Sequence, residues 1–188
     1  MGMLQWIKIY ALACICVIPV YLILRRPWRF GRESRKRELA LAAFVVYFTG
    51  LLSVTLHGEY SLPLQEMFRN GIERLHTLYG TNFVPFRMIV LFFKHFSPEL
   101  FLINIVSNVL IFVPFGFALP FLWKKNRKLK RTLLFCFLLT LSIETAQLFI
   151  GRSVDVDDII LNFIGGASGA LLFTVLNKKT EWAGSFSV

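Results

Sequence analysis

The sequence predicts an all-α fold, a polytopic integral membrane helix bundle, and three observations carry that prediction. Of the 188 residues, 56% are hydrophobic and 17% charged, whereas a water-soluble domain is about half apolar and about a quarter charged. Five stretches reach the roughly 17 to 25 apolar residues that a crossing helix requires: about residues 3–24, 39–56, 101–123, 131–150 and 159–176. The basic residues fall in short blocks between these stretches, where they act as topology signals. The whole chain, 1–188, reads as a single membrane domain.

The first stretch carries only Lys8 ahead of its apolar run, with the basic cluster after it, which reads as an uncleaved anchor rather than a signal peptide. The loop that follows, residues 25–38, holds seven basic residues, and the loop 124–131 holds six. Both belong in the cytoplasm by the positive-inside rule. Lys178 and Lys179 place the C-terminus there as well, so the N-terminus, the segment 57–100 and the turn 151–158 face outward. The formal net charge of +10 therefore reports topology, and nucleic acid is not an expected partner. Cys14, Cys16 and Cys136 all lie within apolar runs, with no disulfide framework or zinc spacing.

Within the outer segment, residues 64–79 place Leu64, Phe68, Ile72, Leu75 and Tyr79 at helical spacing, with Glu66, Arg69, Glu73 and Arg74 opposite. This predicts an interfacial helix on the outer leaflet. The next stretch, residues 83–93, is apolar but short and carries Arg87, and a crossing there would move the six-fold basic loop outside. It reads as a re-entrant or surface-lying segment. In the third span, Pro114 and Pro120, with Gly116 between them, predict a kink.

The polar residues of the spans share a depth. At about 1.5 Å per residue, Asn104 and Asn108 of the third span lie roughly 5 and 11 Å below its outer end, on one face. Glu144 and Gln147 of the fourth lie roughly 9 and 5 Å deep, and Asn162 of the fifth about 6 Å, on the face of Asp158. An ionisable group at such depth is costly and needs a partner, and Arg152 is the expected partner of Glu144. Asp155, Asp157 and Asp158 cap the layer, and Asp158 or Asp157 suits the positive end of the fifth helix. Gly165 with Gly169, and Gly166 with Ala170, repeat a small-xxx-small spacing for close helix contact beneath it.

Four boxes in register give this half of the chain a family resemblance: NFVPF (82–86), NIVSNVLIFVPFG (104–116), ETAQ (144–147) and RSVDVDDIILNFIG (152–165). Their order and spacing resemble the VanZ-like family, named for the accessory teicoplanin-resistance protein of glycopeptide resistance clusters. The resemblance covers a core of about residues 82–170, while the first two spans match in hydropathy alone. It implies a multi-pass protein of a bacterial plasma membrane, with Asn82, Arg87, Asn104, Asn108, Glu144, Gln147, Arg152, Asp155, Asp158 and Asn162 as candidate ligand-binding residues.

Two functions follow as expectations. In the first, the protein acts at the outer leaflet on a lipid-linked cell-envelope component or a lipoglycopeptide, with a role in teicoplanin resistance. In the second, it is an intramembrane hydrolase or transferase on a phosphate- or sugar-bearing lipid, with Glu144 or Asp158 as general base. A purely structural role is the alternative: the amides knit the helices together by hydrogen bonds, and Asp155 and Asp157 form a solvated capping turn. Carboxylate and amide oxygens suit magnesium or calcium, yet no spacing specifies a metal, and no cofactor is expected. Serine chemistry has no support: Ser107 and Ser168 lack a nucleophile elbow, and His57, His76 and His95 all lie in the outer segment. A transporter would need an inverted repeat that the five spans do not show, unless a homodimer supplied the second half.

Overall fold

A computed structural model describes residues 3–25, 32–56, 64–78, 80–94 and 101–180. Its helices are α1 (Met3–Arg25), α2 (Arg32–Thr55), α3 (Leu64–Thr77), α4 (Arg87–Lys94), α5 (Ser107–Leu122), α6 (Leu129–Phe149) and α7 (Val156–Thr180). A π-helical turn, Leu102–Val106, leads into α5, and a 3₁₀ turn, Lys124–Arg127, joins α5 to α6. Among the described residues, four helical stretches are long and apolar enough to cross a membrane: Arg35–Thr55, Asn104–Leu122, Leu129–Phe149 and Val156–Lys178. The first expected span, residues 3–24, coincides with α1, whose apolar run is described over the shorter Tyr10–Arg25. The expected kinked span runs as one helix through Pro114 and Pro120. His57, His95, Tyr79 and residues 26–31 lie outside the described residues. The basic loop is shorter than expected, because α2 already begins at Arg32.

The α5–α7 pair is the closest in the bundle, and small residues are the reason. A Cβ on Gly165 would stand 2.1 Å from the Val109 carbonyl oxygen, and one on Gly169 2.0 Å from that of Val113. The approach is reciprocal, since a Cβ on Gly116 of α5 would meet the Gly166 carbonyl oxygen at 1.8 Å. Backbones this near pack without side chains between them, which suits a medium where the hydrophobic effect cannot drive helices together. Around this pair, Leu51, Phe112 and Ile143 join α2, α5 and α6 in one core cluster. A second cluster sets Phe115, Leu119 and Cys136 against Phe44, Phe48 and Trp123. The Tyr47 hydroxyl donates to the Ile111 carbonyl at 2.6 Å and so ties α2 to α5. Outside, Leu110, Leu134, Ile164, Leu171 and Val175 are exposed, as expected of a surface that meets acyl chains.

At one end of the bundle α3 packs on the close of α6. Phe149 stands edge-on to Phe68 at 5.7 Å and lies over Gly71, where a Cβ would come within 2.2 Å of its ring. Phe68, Ile72 and Leu75, the apolar stripe read as interfacial, are exposed. After Leu78 and Gly80, both at positive φ, a two-residue strand β1 (Thr81–Asn82) pairs in parallel with β2 (Val154–Asp155), Thr81 facing Val154 and Asn82 facing Asp155. Then α4 follows as an eight-residue helix, too short to cross a bilayer, in agreement with a surface-lying or re-entrant segment.

Candidate functional site

The short β1–β2 ladder brings two distant boxes together. Asn82 Nδ2 donates to Asp155 Oδ1 at 2.9 Å, and the Asp157 N–H donates to the same oxygen at 2.9 Å. Asp155 thereby acts as the N-cap of α7 while holding the Asn82 segment. Partial burial raises its carboxyl above the ordinary value, with the Asp157 N–H and the Asn82 amide acting the other way.

Asp157, read from sequence as one of three capping acids and not as a binding residue, is the most buried acid among the described residues at 1% exposure. Its Oδ1 accepts the Phe86 N–H at 2.5 Å, and its Oδ2 accepts those of Met88 and Ile89 at 2.8 and 3.4 Å. These are donors at the start of α4, where a helix has unsatisfied N–H groups and a partial positive charge. Phe86 adopts φ 64°, a left-handed conformation that costs a non-glycine residue about 1 kcal/mol or more. Asp157 holds it there. No local signal in the sequence reveals this, because the partners lie about seventy residues upstream.

Glu144, 2% exposed, accepts the Asp155 N–H on Oε2 at 3.3 Å. Its Oε1 is buried with no hydrogen-bond partner among the described residues. The expected Glu144–Arg152 ion pair is replaced: Arg152 Nη1 donates instead to the carbonyls of Val54 and Thr55, at 3.2 and 3.0 Å. The physical reason is the end of α2, whose last carbonyls lack helical partners and carry partial negative charge. Gln147 Nε2 serves the same carbonyl of Thr55 at 2.8 Å, and its Oε1 is also buried and unpartnered among the described residues. Replacing Arg152 by Met should fray the end of α2, lowering stability by about 1 kcal/mol. Hydrogen exchange over residues 51–56 checks this, and unchanged protection there would contradict it.

Asn108 Nδ2 donates to Asp158 Oδ1 at 2.7 Å, joining α5 to α7 above the glycine contact. Asn104 lies in the π-helical turn, a distortion that often marks functional positions. With Met88, Ile89, Ser153, Asp155, Asp157 and Asp158 it lines a cavity of about 110 Å³. Arg87 is exposed at the start of α4 and acts on Asp155 electrostatically. Asn162 is buried at 4% exposure, with its Oδ1 unpartnered among the described residues. The structure therefore links Asn82, Asp155 and Glu144 to one another by hydrogen bonds. Asn104 and Asp158 line one cavity with Asp155, and Asn108 holds Asp158. Gln147 and Arg152 converge on the end of α2.

Beside the polar cavity lies a larger, mainly apolar recess of about 260 Å³, bordered by Leu75, Leu78, Phe83, Leu141, Glu144 and Ile159, with Arg74 at its edge. Glu144 thus lines the apolar recess, and its bond from the Asp155 N–H ties that wall to the polar cavity. With this geometry in place, the comparison with protein families is decisive: residues 39–177 match VanZ/LLP1. The chain belongs to the VanZ-like family. Neither the curated proteins nor the solved structures compared with it gave a match. For the VanZ-like family, the match extends beyond the 82–170 core into α2, which the boxes alone did not reach. It is a membrane protein of VanZ type, an all-α bundle with four long apolar helices.

Proposed function

We propose that this VanZ-like protein binds a lipid-linked cell-envelope component or a lipoglycopeptide at the outer leaflet, with its N-terminus outside and its C-terminus in the cytoplasm. One observation carries the reading: Glu144, on the wall of an apolar recess, accepts the N–H of Asp155, which lines a polar cavity with Asp157 and Asp158, and Leu75, Leu78 and Phe83 of the recess are exposed, as are Phe68, Ile72, Val84 and Phe86. An exposed apolar patch of this kind, next to fixed donors and acceptors, suits an amphiphile that keeps its chain in lipid and its head in the pocket. Asn82, Asn104, Asn108, Asp155 and Asp158 would orient the head, with Arg87 at its rim. Deletion of the gene should raise susceptibility to a lipidated glycopeptide several-fold more than to a non-lipidated one. Equal responses to both, with unaltered envelope lipids, would defeat the proposal.

The buried, unpartnered Oε1 of Glu144 favours a second reading, in which Glu144 or Asp158 is the general base of an intramembrane hydrolase or transferase on a phosphate- or sugar-bearing lipid. Glu144→Gln keeps the shape and the acceptor for the Asp155 N–H while removing the base. A Glu144→Gln protein that folds normally and keeps the full phenotype eliminates a Glu144 base, and the same result in Asp158→Asn eliminates the reading.

A further inference from the structure

The other end of the bundle holds a separate constellation, built on Glu38. This carboxylate is 3% exposed, although it lies in one of the most basic parts of the chain. Side chains of α1 occupy both its oxygens. Arg25 Nε donates to Oε2 at 3.2 Å, Arg25 Nη2 pairs with Oε1, and the Tyr21 hydroxyl donates to Oε2 at 3.1 Å. Arg37 Nη2 stands 4.0 Å from Oε1, beyond hydrogen-bond reach. Its Nε is buried with no hydrogen-bond partner among the described residues. Two guanidiniums thus share one carboxylate, leaving an excess positive charge and unused donors on Arg37.

Both arginines border a groove of about 410 Å³, whose remaining walls are Tyr21, Leu24, Leu41 and Trp123. Lys124 and Lys125 follow Trp123 directly and are exposed. A free anion would use the charge but gain nothing from Leu41 and Trp123. A wholly apolar molecule would use the walls but leave Arg37 unmatched. An amphiphile with an anionic head satisfies both, since the guanidinium fork matches phosphate oxygens. Basic pockets between helices at the membrane surface favour such heads.

We propose that this groove is a binding site for an anionic phospholipid, with the phosphodiester on Arg37 and an acyl chain along Leu41 and Trp123, in the leaflet that meets the basic segments. The site is independent of the pocket around Glu144 and does not rest on the function proposed above. To test it, the full-length protein in neutral detergent is titrated with phosphatidylglycerol or phosphatidylcholine, and bound lipid is measured by native mass spectrometry. Phosphatidylglycerol should bind about fivefold more tightly, the effect of about one basic residue at an anionic surface. Arg37→Gln, which leaves the Arg25–Glu38 pair intact, should erase that preference. Leu41→Trp, which fills the groove without changing charge, should weaken binding of phosphatidylglycerol. Lys128→Gln removes a charge from the same end outside the groove and should change nothing. Retained preference in Arg37→Gln, unaltered binding in Leu41→Trp, or an equal loss in Lys128→Gln would each overturn the proposal. Displacement of the lipid by inorganic phosphate at the same concentration would show a bare anion site and overturn it too.

Discussion

Gly165→Val is expected to abolish the folded bundle, and Gly165→Ala to weaken it by more than about 3 kcal/mol. Two effects of opposite sign compete. Alanine is the better helix former by about 1 kcal/mol, so a glycine-to-alanine change in an open helix position would stabilise. Here the new Cβ would lie 2.1 Å from the Val109 carbonyl oxygen and 3.1 Å from the Phe112 Cβ. The first obstacle is backbone, which cannot swing aside as a side chain can, so α5 and α7 must move apart. Overpacking a core costs about 1 to 3 kcal/mol where side chains can adjust, and it costs more where they cannot. Separation would also stretch the 2.7 Å bond between Asn108 and Asp158, which sits above the same contact. The comparison is Ser168→Ala on the exposed side of α7, which should be neutral or slightly stabilising. Thermal unfolding of the purified variants in detergent checks both. A Gly165→Ala protein with the melting temperature of Ser168→Ala would show that the two helices are not held at this distance.

The difference between what was legible and what was not follows from how each feature is encoded. The bilayer demands long apolar helices, and that demand is local, so four of the five expected spans fall within a few residues of the apolar stretches of α2, α5, α6 and α7. The amphipathic stripe of α3 is equally local. The glycine spacing predicted a close contact but not its partner, because the matching surface, Val109, Val113 and Gly116, has no repeat of its own. Glu144 and Arg152 show the commonest error of charge reading: sequence displays side chains but conceals backbone carbonyls. Arg152 prefers the open end of α2, which only the fold creates. Glu38 is the reverse case. It stood in a stretch read as a cytoplasmic basic loop, and the residues that bury it, Tyr21 and Arg25, come from the preceding helix. A two-residue ladder such as β1–β2 has no periodicity at all, so the junction of Asn82 with Asp155 could not be read before the chain was folded.

That junction gives Asp157→Ala its expected consequence, the release of α4 from the bundle. Three backbone donors, those of Phe86, Met88 and Ile89, converge on one buried carboxylate. A hydrogen bond to a charged group contributes about 1.5 to 3 kcal/mol, but the three share two oxygens and are not additive. Truncation should therefore cost about 3 to 5 kcal/mol, the range for breaking a buried charged network. The loss should stay local. The packing of α5 against α7 does not pass through α4, so the rest of the bundle should remain folded while residues 83–94 gain hydrogen exchange and protease sensitivity. Asp157→Asn separates charge from shape, since an amide oxygen can still accept from one or two of the donors but without the negative charge that suits a helix start. It should fall between wild type and Asp157→Ala. With α4 released, Met88 and Ile89 leave the cavity wall that they share with Asn104 and Asp158, and the positive φ of Phe86 loses its restraint. If the pocket binds the head of an amphiphile, Asp157→Ala should then reproduce the gene-deletion phenotype through the loss of that wall. Global unfolding in step with residues 83–94, or unchanged exchange there, would show that the carboxylate does not hold this wall in place.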